Sequence, residues 1–336
     1  LDQRFSGQHD EIGQVIQGHE VHVIDAMRRS RPFVPGWRLP ALATAAMSLL
    51  SACSTVTLLN AVAPRSGISV IRDLRYGADP RQRLDVYVPR DAAAAPVVVF
   101  FYGGGWTEGS KDQYAFVARG LAARGIVTVV PDYRLYPQVA FPAFIQDGAA
   151  ATRWVHDNAR AFGGDPRRLV VLGHSAGAYI AAMLALDPRY LAAVGLNAET
   201  DLAGCVGLAG PYDFLPLDTD VLRAIFRSPE GLARTQPITF ARGDAAPMLL
   251  LTGARDDTVY PRNTARLSAR IRERGGWVET IVYPGIGHRL ILGAISWPLR
   301  FSAPVRDDVV RFVFERHTAT GAAGFDRRVV SSVDRS

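Results

Sequence analysis

The sequence predicts an α/β domain with a mostly parallel central sheet, helices on both faces and a small cap insertion. Three observations carry this. From residue 68 to about residue 316, apolar runs of strand length alternate with longer helical patterns. The run at 96–102 is apolar throughout, as a strand covered on both faces would be. Finally, Leu169-Val170-Val171-Leu172 leads straight into Gly173-His174-Ser175-Ala176-Gly177 and then into an apolar helix. Strand, tight turn and helix in that order let a serine project its hydroxyl above the sheet.

The elements follow in order. Residues 68–71 and 84–88 read as strands, with Asp79-Pro80 turning between them in an antiparallel hairpin. Residues 96–102 form the central strand, 112–124 a helix and 126–130 a strand. A helix over 143–161 and the strand and helix around Ser175 come next, then a strand at 205–209. Residues 211–243 lack a clear strand and carry short helical pieces around 221–226; they form the cap insertion. A strand at 248–252, a helix at 262–274, a strand at 278–283 and a last helix at 305–316 complete a domain spanning 68–318. Residues 319–336 have no period and read as a frayed tail.

The N-terminal part reads differently. Residues 1–26 are polar and without period, and read as upstream sequence before a start at Met27. Arg28-Arg29-Ser30-Arg31 and Arg38 precede an apolar stretch from Leu39 to Leu50, and Leu50-Ser51-Ala52-Cys53 closes it. A basic region, an apolar region and small residues before a cut are the parts of an export signal. The Leu-Ser-Ala-Cys ending resembles the lipobox of bacterial lipoproteins, which implies a signal over 27–52, lipid on Cys53 and an envelope location. An uncleaved anchor is the alternative, because residues 39–64 carry no charge and are long enough to span a bilayer. A tether over 53–67 then leads to ordered structure near Ile68.

Composition narrows the partners. The 336 residues are 48% hydrophobic and 21% charged, with a net charge of +6. The positive charge is almost all arginine, Lys111 being the only lysine, and no basic cluster has aromatics interleaved with it, so no nucleic-acid partner is implied. Cys53 and Cys205 give no disulfide framework, and the seven histidines give no zinc pattern. Neither metal nor cofactor is expected.

Three features complete the chemistry that Ser175 begins. Tyr102-Gly103-Gly104-Gly105-Trp106 directly follows the central strand. Its glycines let backbone N–H groups approach a substrate carbonyl, and those of Gly104 and Gly105, with Ala176, would form an oxyanion hole. In Gly253-Ala254-Arg255-Asp256-Asp257 an acid stands three residues past a strand-ending glycine, favouring Asp256 over Asp257, which reads as a solvated loop acid. His288, in the glycine-rich loop after the last strand, is the candidate base. Nucleophile, acid and base thus occur in the chain order of α/β-hydrolases. His9, His19, His22, His156 and His317 read as structural, and His174 as filling the variable position of the turn.

Taken together, these motifs resemble the α/β-hydrolase carboxylesterases of the HGGG(W) kind, the hormone-sensitive-lipase-like and feruloyl-esterase-like group. The resemblance covers roughly residues 68–316. It extends to Asp132-Tyr133-Arg134-Leu135, Phe141-Pro142-Ala143 with Asp147, Gly163-Gly164-Asp165-Pro166 and Gly210-Pro211-Tyr212-Asp213. It implies that Asp132 and Arg134 hold the loop beside the oxyanion turn. Tyr102 stands where the family has histidine, and its hydroxyl is a substitute brace for the glycine loop.

The expected activity is hydrolysis of small or short-acyl carboxylic esters through an acyl-enzyme. Tyr102, Trp106, Tyr133 and Phe214 are candidate pocket walls, with Leu215, Leu217, Leu222, Ile225 and Phe226 either joining them or packing a small cap. An amide hydrolase of the same fold, either an arylformamidase or a small peptidase, is the alternative. A non-catalytic binding protein is the alternative from another class. The expected partners are a small-molecule ester and, through Cys53, a membrane; the sequence leaves the oligomeric state open.

Overall fold

The computed structural model describes residues 55–316. The upstream segment 1–26, the signal region 27–52, Cys53 and the tail 319–336 lie outside the described residues. The chain forms α1 (Thr55–Val62), β1 (Ile68–Arg75), β2 (Arg83–Pro89), β3 (Ala95–Phe101), α2 (Ala115–Ala122), β4 (Val127–Pro131), α3 (Ala143–Asn158), β5 (Gly164–His174), α4 (Ala176–Leu186), α5 (Pro188–Ala192), β6 (Gly204–Leu208), α6 (Asp220–Ile225), β7 (Met248–Gly253), α7 (Arg262–Glu273), β8 (Val278–Tyr283), α8 (His288–Gly293) and α9 (Val305–Glu315).

The eight strands form one sheet in the order β1-β2-β4-β3-β5-β6-β7-β8. The pairs β1–β2 and β2–β4 are antiparallel, and every pair from β4 to β8 is parallel. The middle strands carry Val97, Val98, Val99, Phe100, Leu169, Val170, Val171 and Leu172 fully buried on both faces. That requires cover on each side, and the crossovers supply it. From β3 the chain steps one way along the sheet to β4, and from β4 it steps back past β3 to β5. Right-handed connections therefore place α2 and α3 on opposite faces. The reversal of direction falls between β3 and β5, whose registered pairs run from Val97 with Leu169 to Phe101 with Gly173. Beyond the carboxyl ends of those two strands a crevice opens, the usual place for a site in an open α/β sheet.

Most predicted elements appear within a few residues of their expected limits. The helix expected over 112–124 begins as a 3₁₀ turn, Lys111–Tyr114, before α2. Strand β5 starts at Gly164, earlier than the apolar run at 169–172, because Gly164 pairs with Ala95 across a register shift. Residues 211–243 carry α6 and two 3₁₀ turns, Leu232–Thr235 and Pro237–Phe240, as a small cap.

The tether expected over 53–67 is corrected. Residues 55–62 form α1, with Leu59 buried. The Asn60 carboxamide accepts from the N–H of Phe116 at 2.8 Å and donates to the carbonyls of Asp112 and Gln113. Phe116 is in the first turn of α2, whose N–H groups have no partner within the helix, so Asn60 caps that helix from a distant segment. Asn60→Ala should lower unfolding stability by about 1–3 kcal/mol, read as a fall in the urea midpoint of the full chain. An unchanged midpoint would show that α1 contributes nothing to the domain.

Candidate active site

The turn after β5 is held by two close backbone approaches. A Cβ on Gly173 would lie 2.1 Å from the carbonyl oxygen of Gly177, and one on Gly177 would lie 2.0 Å from that of Phe101 at the end of β3. Neither position has room for a side chain. Between them Ser175 takes φ 53° and ψ −121°, an unfavourable conformation for any residue with a Cβ. Its N–H is held by the carbonyl of Leu208 at 2.9 Å. The result is a hydroxyl standing at the mouth of the crevice.

His288 meets it there. Its Nε2 lies 2.9 Å from Ser175 Oγ, and its Nδ1 lies 2.9 Å from Asp256 Oδ2. A carboxylate accepts, so Nδ1 carries the proton and Nε2 turns its lone pair to the serine hydroxyl. The other oxygen of Asp256 accepts from the N–H groups of Thr258 and Val259 at 3.0 and 2.8 Å, which fixes the carboxylate in place. Asp256 is buried, whereas its neighbour Asp257 is exposed.

The glycine loop lies against the turn. A Cβ on Gly103 would sit 3.0 Å from the Cβ of Ser175. Gly104, at φ 132°, turns its carbonyl to accept from the N–H groups of both Thr107 and Glu108. Ala176 is the first residue of α4, so its N–H has no partner within the helix. Gly104, Gly105 and Ala176 thus come from two segments that meet beside Ser175.

Tyr102 and Tyr133, expected as pocket walls, are corrected. Both are fully buried beneath the loop. The Tyr102 hydroxyl donates to Asp132 Oδ1 at 2.7 Å, and the Tyr133 hydroxyl donates to the Tyr102 carbonyl at 2.8 Å. The Tyr102 ring stacks between Tyr114 and Tyr133, with centroids 5.2 and 4.7 Å away. Burial raises the Asp132 carboxyl above its ordinary value and holds the Tyr102 phenol far above its own, so the phenol keeps the proton it donates. Asp132 also accepts from the N–H of Lys111 at 2.7 Å. Arg134 grips the buried Asp147 with two nitrogens.

Trp106, expected as a pocket wall, is buried and is corrected too, while Phe214 beside it is only partly buried. They belong to an aromatic cluster with Phe144, Tyr179 and Phe226, and Tyr179 is one turn along α4 from Ser175. Ile225 and Phe226 are fully buried, so they pack the cap rather than face a cleft.

Two positions escape a reading of the sequence alone. Arg81 donates from Nη2 to the Tyr102 hydroxyl and the Gly109 carbonyl, and from Nε to the Tyr133 carbonyl, stapling the glycine loop to the hairpin. His174 donates from Nε2 to the backbone carbonyl of His288 at 2.9 Å, which leaves its Nδ1 without a partner. Burial pushes the His174 pKa down to about 3, and the adjacent His288 ring adds to the depression. Among the described residues no group of three His, Cys, Asp or Glu side chains is placed to hold a metal ion.

A family model described as BD-FAE matches residues 84–271. Esterase LipC of Mycobacterium tuberculosis is 36% identical over 254 residues, covering 68% of this chain and 62% of LipC. A probable isoprenylcysteine alpha-carbonyl methylesterase ICME of Oryza sativa subsp. japonica is 31% identical over 239 residues, covering 65% of this chain and 58% of that protein. The chain therefore spans about three fifths of the length of these curated relatives. Among solved structures, esterase B from Lactobacillus rhamnosis superposes with a TM-score of 0.68 at 20% identity, covering 82% of this chain and 94% of that one. That likeness shows the α/β-hydrolase fold.

His174 generates a prediction about acid stability. In the unfolded chain it titrates near its ordinary 6.5, and in the fold near 3. Between those values the unfolded chain binds a proton that the fold does not. The contribution is therefore full above about pH 6.5 and declines as the pH falls toward about 3. His174→Gln keeps an N–H for the His288 carbonyl and removes the titration. Urea unfolding at about pH 7.5 and about pH 5 should show a smaller acid loss for the variant than for the parent. Equal losses would contradict the assignment.

Proposed function

The chain belongs to the BD-FAE family, and from that premise we propose that it is a serine carboxylesterase acting on small or short-acyl esters through an acyl-enzyme. The observation that carries this is the relay from Ser175 Oγ to His288 Nε2 and from His288 Nδ1 to Asp256, both steps at 2.9 Å. Two curated relatives are named as esterases, which supports the same class of reaction.

In this reading Ser175 Oγ attacks the ester carbonyl as His288 Nε2 takes its proton. Asp256 keeps the imidazole in the required tautomer and stabilises the imidazolium. The negative charge that develops on the carbonyl oxygen is met by the N–H groups of Gly104, Gly105 and Ala176. One such donor is worth roughly 3–4 kcal/mol in comparable sites. Collapse breaks the C–O bond, and His288 returns its proton to the departing alcohol. Water then enters, His288 accepts a proton from it, and the resulting hydroxide attacks the acyl carbonyl. The acid leaves as Ser175 recovers its proton. Tyr102, Arg81 and Asp132 act at one remove, by keeping the glycine loop in the shape that aims its donors.

We also propose that the protein is exported and carried on a lipid at Cys53, a reading supported by Arg28, Arg29 and Arg31, the apolar run at 39–50 and Leu50-Ser51-Ala52-Cys53.

A panel of nitrophenyl acyl esters assayed beside N-formylkynurenine and peptide anilides tests the reaction class. Short-acyl esters should be turned over fastest, and a preference for the formamide or the anilides would contradict the proposal. The paired acids give a sharper comparison. Asp256→Asn should lower kcat by about 10⁴-fold by presenting the wrong histidine tautomer, whereas Asp257→Asn should leave it within a few-fold. The reverse ranking would move the acid to Asp257. Tyr102→Phe, which keeps the ring and deletes the hydroxyl, should lower kcat by roughly tenfold with KM little changed; an unaltered kcat would reduce Tyr102 to packing.

A further inference from the structure

One exposed cluster lies outside the machinery above. Between α8 and α9 the chain turns through residues 294–304. Ile291, Leu292 and Ile295 anchor this region in the core. The Ile295 carbonyl approaches α2 so closely that a Cβ on Gly120 would stand 2.9 Å from it. The same turn lifts two large aromatic side chains into solvent, Trp297 at 53% exposure and Phe301 at 80%. The Arg300 guanidinium lies between them, 5.0 and 4.3 Å from the two ring centroids. Paired aromatics that leave the core while a guanidinium rides on their rings form the amphipathic grouping that suits a headgroup layer.

The position of the cluster is informative. Tyr283 ends β8, and its hydroxyl donates to Asp308 in the first turn of α9. The first turn of α9, which closes the 294–304 turn, therefore lies near the carboxyl end of β8, the strand that leads to His288, while the neighbouring Asp307 pairs with Arg124 ahead of β4. Helix α1 enters at this end too. Its Asn60 binds residues 112, 113 and 116, and that segment is tied to Asp132 just beyond β4 through the N–H of Lys111. Leu58 and Val62 of α1 are exposed at 59% and 43%. In sequence, the charge-free run over 39–64 continues into α1, with Cys53 two residues before Thr55. Trp277, by contrast, is 42% exposed just before β8, at the opposite end of the sheet.

We infer that the catalytic end of the molecule docks on a phospholipid bilayer, with Trp297 and Phe301 seated among the headgroups and Arg300 reaching phosphate, and that the ester it hydrolyses is an amphiphile presented by that bilayer. The substrate half of this inference rests on the esterase reading of Ser175. The contact is interfacial, because Trp297, Arg300 and Phe301 stand on a surface turn of the fold. A chain that enters the fold at the same end as the aromatic pair, and that carries a lipid on Cys53 just before α1, holds that end toward the surface. The crevice then opens toward the lipid rather than away from it.

The test uses the full chain with Trp37→Phe as the parent, so that the tryptophan beside the 39–50 apolar run does not report, on vesicles of phosphatidylglycerol and phosphatidylcholine with brominated acyl chains. Bromine should quench part of the tryptophan emission. Trp297→Phe should abolish that quenching, and Trp277→Phe should leave it. Quenching that survives Trp297→Phe, or none in the parent, would overturn the inference. Trp297→Ala combined with Phe301→Ala should leave turnover of dissolved nitrophenyl acetate unchanged and lower hydrolysis of dioctanoylglycerol embedded in the vesicles by about tenfold. Equal rates on both substrates for parent and variant would overturn the substrate half. A parent dimer that the double variant converts to monomer, with no bromine quenching, would give the face to a second copy of the chain and overturn the docking. Quenching at Trp297 with no turnover of either ester would support the docking and overturn the esterase reading.

Discussion

The backbone of Gly177 lies against the carbonyl of Phe101 with no space for a methyl group between them. Everything at the crevice depends on that contact. It fixes how close α4 comes to the end of β3, and so how close Ser175 comes to the glycine loop that follows β3. The pairing of Phe101 with Gly173 sets the height of both along the sheet. Large side chains would stabilise the interior more than two glycines do. Close packing of this kind yields an arrangement with one solution. The positive φ of Ser175 is the local cost, and the bond from its N–H to Leu208 offsets part of it.

A second layer keeps the loop from collapsing into the space that its glycines leave. Asp132 gathers the Tyr102 hydroxyl and the N–H of Lys111, and Arg81 adds bonds to the Tyr102 hydroxyl and the Gly109 carbonyl. These groups belong to the hairpin turn, the end of β4 and the start of the 3₁₀ turn, so the loop is held from three directions. Lys111 serves twice, because its ammonium group is buried against Asp73 and Asp85 at 2.8 and 2.9 Å. A lone buried lysine is expensive, and two carboxylates compensate it. The chain's single lysine thus belongs to the framework that supports the loop, in a molecule whose other strong bases are all arginines.

Much of this was legible in the sequence because the chemistry sits in short local motifs. The apolar strand before Gly173, the glycines after 102 and the acid after Gly253 each announce their place within a few residues. The groups without such a local signal act on backbone atoms far away in the chain. Arg81 and His174 bind carbonyls of segments that no spacing connects to them. For Tyr102 and Tyr133 the sequence is ambiguous, because an aromatic beside a glycine loop looks the same whether it faces ligand or core. Helix α1 has no local signal either. Its run has no charged face to set a period, and what orders it is the capping of α2 by Asn60.

Depth of burial then divides the labour among like residues. Asp256 is enclosed and faces His288, while Asp257, next in the chain, remains in water. His288 sets its Nε2 against the Ser175 hydroxyl, while His174 stays neutral and ties the His288 backbone. In the proposed reaction Ser175 becomes acylated, and rapid-quench mass spectrometry reads that adduct. Mixed with excess nitrophenyl butyrate and quenched during the burst, the protein should carry one butyryl group, on the peptide that contains Ser175, in an amount equal to the nitrophenol released in the burst. Turnover with no adduct, or an adduct on any other residue, would contradict the account.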